Sequence, residues 1–153
     1  MDFKTELEKI LSTISQKGFA VLSTSNGNHV TSRTMSVVTF DGKIAFQTSE
    51  SMRKYKQIQE NENVALCVNE IQIEGIANDK GNAGEHAKFV SLFKEKHPGS
   101  YETYTNLDGE KVIEVKPTYI QMWKYIDGKP NVFMMDVVNE TVSLTPYQHG
   151  DDY

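Results

Sequence analysis

Apolar residues at Leu7, Ile10, Leu11 and Ile14 recur at i, i+3, i+4 and i+7, and Gly18 follows them. That spacing predicts an amphipathic helix over residues 1–17, ended by a glycine. From Phe19 the pattern changes to β-branched and aromatic runs cut by turn residues. Phe19–Thr24 is followed by Asn26-Gly27-Asn28, then His29–Phe40, Asp41-Gly42 and Lys43–Thr48. Asn-Gly and Asp-Gly between such runs are strong hairpin signals, so the segment reads as a three-strand antiparallel meander.

Helical character returns over Ser49–Glu60, with Met52, Tyr55 and Ile58 on one side and Ser49 or Ser51 available as the cap. Two strands follow, Val64–Glu70 and Ile71–Asn78. The second carries Gly75, where a close backbone or ligand would exclude a side chain. A helix through His86, Phe89, Val90 and Phe93 must stop near His97-Pro98-Gly99, and Ser100–Gly109 reads as loop or short helix. The remaining strands are Val112–Val115, Thr118–Ile126 and, after Asp127-Gly128, Asn131–Val138. The sum is mainly β, about six or seven strands with two or three flanking helices in a single domain. Antiparallel strands on short turns favour a closed or partly closed barrel.

Charge and cysteine usage narrow the function classes. Up to Lys129 sixteen basic groups face seventeen acidic ones, and the remaining acidic residues, Asp136, Glu140, Asp151 and Asp152, lie beyond it. Such a balance offers no basic face to nucleic acid or to an anionic membrane. No stretch approaches a membrane span and Met1–Lys17 lacks a secretory apolar core, so a cytoplasmic location is expected. Residues 139–153 read as an acidic C-terminal tail, frayed from Tyr147 to Tyr153. The single cysteine, Cys67, sits inside the apolar run Val64–Val68 and is expected to be a buried, inert thiol.

The chain contains fourteen lysines but only two arginines, Arg33 and Arg53, so any site needing a guanidinium fork must use one of them. In His29–Ser36 alternation puts Thr31, Arg33 and Met35 on one face and Ser32, Thr34 and Ser36 on the other, and neither face is apolar enough for ordinary core. A little further on, Thr48, Ser49 and Ser51 supply hydroxyls beside Arg53 and Lys54 at a predicted helix start. Those are the parts of a phosphate site. The same residues would equally suit a solvated face with Arg33 paired to a carboxylate. His29, His86, His97 and His149 show no metal-ligand spacing, and no nucleophile elbow or Walker loop occurs.

The order of Phe19–Thr24, Arg33-Thr34-Met35, Phe46-Gln47-Thr48, Arg53-Lys54, Gln57–Asn61, Glu74–Ala77 and Val115–Trp123 resembles the pyridoxamine phosphate oxidase-like FMN-binding split barrels, in particular the general-stress-protein branch. The resemblance implies a six-stranded antiparallel Greek-key split β-barrel that forms a homodimer, with an FMN in each of two interface clefts. It assigns Arg33, Arg53 and Lys54, helped by Thr48, to the FMN phosphate, and Ser51, with its hydroxyl at the same helix start, is a further cofactor-binding candidate. Thr34, Met35, Ser36 and Gln47 would line the ring and ribityl chain, and Trp123 would approach the flavin from the second subunit. The activity implied is that of an oxidoreductase exchanging electrons with a small molecule, a nicotinamide for example. The alternatives are a non-catalytic flavin-binding protein and a barrel that has lost its ligand. The resemblance does not reach the namesake reaction: both arginines are assigned to the flavin, and no Arg-x-His occurs near the C-terminus. Val38 also stands where the oxidases carry a lysine.

Overall fold

The computed structural model describes residues 1–153 and contains nine strands and three principal helices. Helix α1, Phe3–Lys17, starts on Asp2, whose Oδ2 accepts from the Thr5 amide at 3.0 Å, and ends where the Gly18 amide donates to the Ile14 carbonyl. Its predicted face docks as expected: Ile10 and Ile14 enter the main core, and Leu7 and Leu11 pack at its edge.

The strands are β1 (Phe19–Asn26), β2 (His29–Ser36), β3 (Val38–Phe40), β4 (Lys43–Ser49), β5 (Asn63–Val68), β6 (Ile71–Asn82), β7 (Glu110–Ile126), β8 (Lys129–Asp136) and β9 (Thr141–Pro146). All pairings are antiparallel, in the order β2-β1-β5-β6-β7-β4-β3, with β8 added on β7 and β9 on β8. The path begins and ends on two halves of one stretch, interrupted at Val37. The expected middle strand therefore divides, β2 pairing with β1 and β3 with β4, and the sheet curls without closing. Val37 is pinned at the break: its amide donates to the Gly18 carbonyl at 2.9 Å, and buried His97 donates through Nε2 to its carbonyl at 3.0 Å. At both Asp41-Gly42 and Asp127-Gly128 the two residues have positive φ, the mirror-image turn whose twist suits a tight hairpin.

The barrel interior holds one apolar cluster, with Leu22, Phe46, Leu66, Ile73, Ile113, Ile120 and Phe133 at its centre. Helix α3, Ala87–Lys96, covers a second, smaller one through Phe89 and Phe93. His86 caps this helix, Nδ1 accepting from the Phe89 amide, so its Nε2 carries the proton that goes to buried Glu114 at 2.7 Å. A short helical segment and a π turn, Pro98–Ser100 and Tyr101–Thr105, fill the stretch read as loop or short helix.

Three expectations are corrected. Cys67 is exposed, because β5 is buried on one face only: Val64, Leu66 and Val68 point inward, and Cys67 with Ala65 points out. The two strands expected over residues 112–126 are one, β7, with a bulge at Thr118, where Glu74 pairs with Tyr119 and Gly75 with Pro117. The extra residue reverses the alternation. Ile113 and Val115 face the core before it; Ile120 and Met122 do so after it, which turns Tyr119, Gln121 and Trp123 to the outer face. Lastly, the segment read as an acidic tail from residue 139 contains a strand, and only Tyr147–Tyr153 beyond it is without helix or strand. Residues 141–146 form β9, the Tyr147 amide donates to the Pro130 carbonyl, and its ring meets Trp123 edge-on with centroids 5.0 Å apart.

Candidate functional site

The hairpin turn after Asn26 fixes the register of β1 and β2, pairing Leu22 with Arg33 and Thr24 with Thr31. Leu22 and Thr24 are buried, so Arg33 leans over the rim of the barrel interior. Its Nη1 donates to the Leu22 carbonyl at 3.2 Å and to Thr24 Oγ1 at 2.8 Å, and its Nη2 donates to Thr31 Oγ1. A guanidinium has five N–H donors. The two left over, Nε–H and one on Nη2, lie on the same edge of the fork, the geometry that grips an oxyanion with two parallel bonds.

Helix α2, Arg53–Glu60, brings two further cations to this rim, and Gln57 and Ile58 on its inner face pack against the barrel. It begins later than the sequence pattern suggests, and neither Ser49 nor Ser51 caps it. Ser49 still pairs in β4, and its Oγ accepts from the Ser51 amide in the turn that follows. The cap position is Met52, which offers no side-chain acceptor, so the amides of Arg53, Lys54 and Tyr55 have no protein partner. Lys54 Nζ reaches buried Thr48 Oγ1 at 3.5 Å.

Arg33, Arg53 and Lys54 form no salt bridge, whereas Lys43, Lys88 and Lys111 each pair with a carboxylate. The pairing of Arg33 with a carboxylate, left open by the sequence, is therefore absent. Burial and then the Arg53 charge push the Arg33 pKa down. Burial and then Arg33 push Lys54 down, with Glu110 pulling the other way. Glu110 itself is raised by its burial, against the influence of Lys54. Three like charges are held close with none of them in a salt bridge, an arrangement whose mutual repulsion an anion would relieve.

A lysine whose folded pKa lies below its unfolded value makes the ligand-free fold gain stability as pH rises across that interval. Lys54→Met should therefore stabilise the ligand-free protein modestly, by about 0.5 kcal/mol after solvent screening, and remove that rise with pH. Urea unfolding at neutral and alkaline pH measures both; a destabilised variant would contradict the expectation.

The other residues singled out by the sequence are distributed differently. Thr34 and Ser36 point from β2 to the outer face, opposite Val21 and Phe19, while Met35 packs against the main core. Gln47 is buried with its side chain turned to the far side of β4, where Oε1 accepts from Thr105 at 2.6 Å, so only its backbone faces elsewhere. Ser51 is exposed and bonds Ser49. Trp123 lies on the outer face, separated from β2 by β1, β5 and β6, so one chain does not bring it to the cationic rim. Near it runs a groove of about 290 Å³ lined by Ser23, Cys67, Gln72, Glu74, Tyr119 and Gln121. Three residues at the rim were missed: Thr24, Thr31 and Gln57. Counting the register back from Asn26 and His29 would have found the two threonines opposite each other and beside Arg33. Gln57 is marked in the sequence only as part of the Gln57–Asn61 run that carries the family resemblance.

These features define a mainly β, open antiparallel barrel with flanking helices and an unpaired cationic rim. Residues 6–124 match the family described as pyridoxamine 5'-phosphate oxidase, and the chain belongs to that family. Among solved structures it is similar to general stress protein 26 from Bacillus anthracis str. Sterne, at 21% identity and a TM-score of 0.61, covering 74% of this chain and 91% of that one. It is also similar to a pyridoxamine 5'-phosphate oxidase-related, FMN-binding protein from Nostoc punctiforme PCC 73102, at 12% identity and a TM-score of 0.63 over 94% of each chain. A third is HutZ, a heme storage protein from Vibrio cholerae, at 11% identity and a TM-score of 0.60, covering 76% of this chain and 91% of that one. At these identities the likeness establishes the fold. A comparison with the curated proteins finds no match. No helix is long and apolar enough to cross a membrane.

Proposed function

We propose that this protein binds FMN and works as an oxidoreductase on a small-molecule electron donor or acceptor. The observation that carries the reading is the convergence of Arg33, Arg53 and Lys54, none paired to a carboxylate, around the free edge of the Arg33 fork and the uncapped start of α2. These groups fit a phosphate monoester: full charges, hydroxyls and main-chain donors directed at one anion. Thr48 would support the phosphate through Lys54, and Ser51 lies in the adjoining turn. When bound, the flavin supplies the hydride or electron chemistry; the chain supplies binding and electrostatics.

The exposed apolar residues of the outer face, among them Phe19, Val21, Trp123 and Tyr125, suit a second copy of the chain. In that homodimer the outer face, with Thr34, Ser36 and the Trp123 ring, would line the cleft occupied by the isoalloxazine. The heme reading suggested by one structural neighbour is less well supported. An axial histidine is a usual requirement; His86 has both ring nitrogens engaged, by the Phe89 amide and by Glu114, and His97 is buried with Nε2 on the Val37 carbonyl, so neither offers a ring nitrogen at the cationic rim.

The test is the visible spectrum of the purified protein, with the released cofactor identified by mass spectrometry. Flavin absorbance and release of FMN are expected. A colourless protein that leaves added FMN fluorescence unchanged would overturn the reading, as would a Soret band from a tightly held heme. Steady oxidation of NAD(P)H with an added acceptor separates an oxidoreductase from a flavin carrier.

A further inference from the structure

We propose that Gln57 is a positioning residue for the anion site, holding Arg33 in its binding orientation without cancelling its charge. The identity of the ligand rests on the flavin reading above; the orienting role rests on the geometry alone. Gln57 is 5% exposed, and its Oε1 accepts from Thr24 Oγ1 at 2.6 Å and from Thr31 Oγ1 at 2.7 Å. Both threonine oxygens also accept from Arg33. Each hydroxyl has one proton to give. Giving it to Gln57 leaves the oxygen's lone pairs facing the guanidinium. One carboxamide oxygen thus sets two hydroxyls, and the two hydroxyls set the fork.

The usual partner of a half-buried arginine is a carboxylate, which would fix the same geometry but add a negative charge two hydrogen bonds away. A neutral acceptor achieves the orientation and leaves the positive charge for a ligand. An apolar side chain of similar length would leave both hydroxyls free to turn and the fork without a fixed direction. The relay crosses three elements, α2, β1 and β2, so Gln57 also ties the helix carrying Arg53 and Lys54 to the strand carrying Arg33.

The test compares affinities for FMN, riboflavin and inorganic phosphate in the full-length protein and its variants, by fluorescence titration and by competition. Gln57→Met is expected to weaken FMN binding about tenfold, the weight of one charge-assisted hydrogen bond, with riboflavin binding and the salt dependence unchanged. Gln57→Glu is expected to weaken FMN at least as much and to reduce its salt dependence, because net positive charge at the rim falls. Thr31→Val should reproduce the FMN-specific loss and Thr31→Ser should restore it, which decides the matter if the Gln57 variants do not fold. FMN affinity unchanged in Gln57→Met and Thr31→Val, or parallel losses for FMN and riboflavin, would overturn the proposal, the second outcome marking a packing role. If the wild type binds inorganic phosphate but not FMN, the flavin reading falls and the same variants decide the role of Gln57 on phosphate affinity. Binding of neither overturns both.

Discussion

Arg33→Lys is expected to weaken FMN binding by roughly a hundredfold while leaving riboflavin binding unchanged, although formal charge is conserved. The reason is the number and direction of donors. Arg33 already directs three N–H groups at the Leu22 carbonyl, Thr24 and Thr31, and still presents two on its outer edge. A lysine ammonium has three donors at a single point. It can satisfy the threonines or face the anion, and satisfying the threonines leaves a phosphate with only Arg53 and Lys54. Titration of wild type and variant with FMN and with riboflavin measures the difference. Equal FMN affinities would show that the fork is not part of the site, and a loss shared by riboflavin would point to general damage. Lys54→Met should also weaken FMN binding but by less, and its gain in ligand-free stability would show that the rim trades stability for binding.

Gly75→Ala is the substitution expected to cost most stability per atom added, about 2–3 kcal/mol. A Cβ on Gly75 would lie 2.6 Å from Val115 Cγ1 and 2.9 Å from the Lys116 carbonyl oxygen. The side chain of Val115 could turn aside, but the carbonyl belongs to the main chain of β7 and moves only with the strand. Gly75 sits at the bulge, opposite Pro117, which has no amide to pair. Relief of the clash would therefore disturb the register change that turns Trp123 outward. Urea unfolding should show a lower midpoint with an unchanged slope. Gly99→Ala, where an added Cβ meets nothing within 4 Å, is the control and should be neutral or slightly stabilising. A Gly75→Ala protein unfolding at the wild-type midpoint would mean that β6 and β7 are not packed as closely as the structure shows.

Much of the fold was readable in the chain because it rests on local signals. The spacing of Leu7, Ile10, Leu11 and Ile14 placed α1 on the core, and the Asn-Gly and Asp-Gly turns marked the hairpins. What misled was pattern without partners. The run Val64–Val68 looks buried on both sides, yet only alternate residues meet the core, so Cys67 faces out. Thr141–Pro146 has a weak strand signal and exists as β9 because the edge of β8 is there to pair with it. Ser49 and Ser51 have the chemistry of helix caps, but Ser49 is held in β4 by its pairing with Glu110, which delays the helix to Arg53.

The candidate site divides along the same line. The sequence by itself determined which residues carry the chemistry a phosphate site would need: two arginines in 153 residues, with hydroxyls and Lys54 close to one of them. Side-chain chemistry and scarcity are properties of the chain and need no fold. Only the tertiary structure decided that Arg33 faces the barrel rim and not the outer sheet, that no carboxylate pairs with it, and that Gln57 accepts from the two threonines that bond it. Those facts depend on β1, β2 and α2 meeting across long separations in sequence. A one-residue difference in register, like the bulge at Thr118, decides which face each side chain reaches.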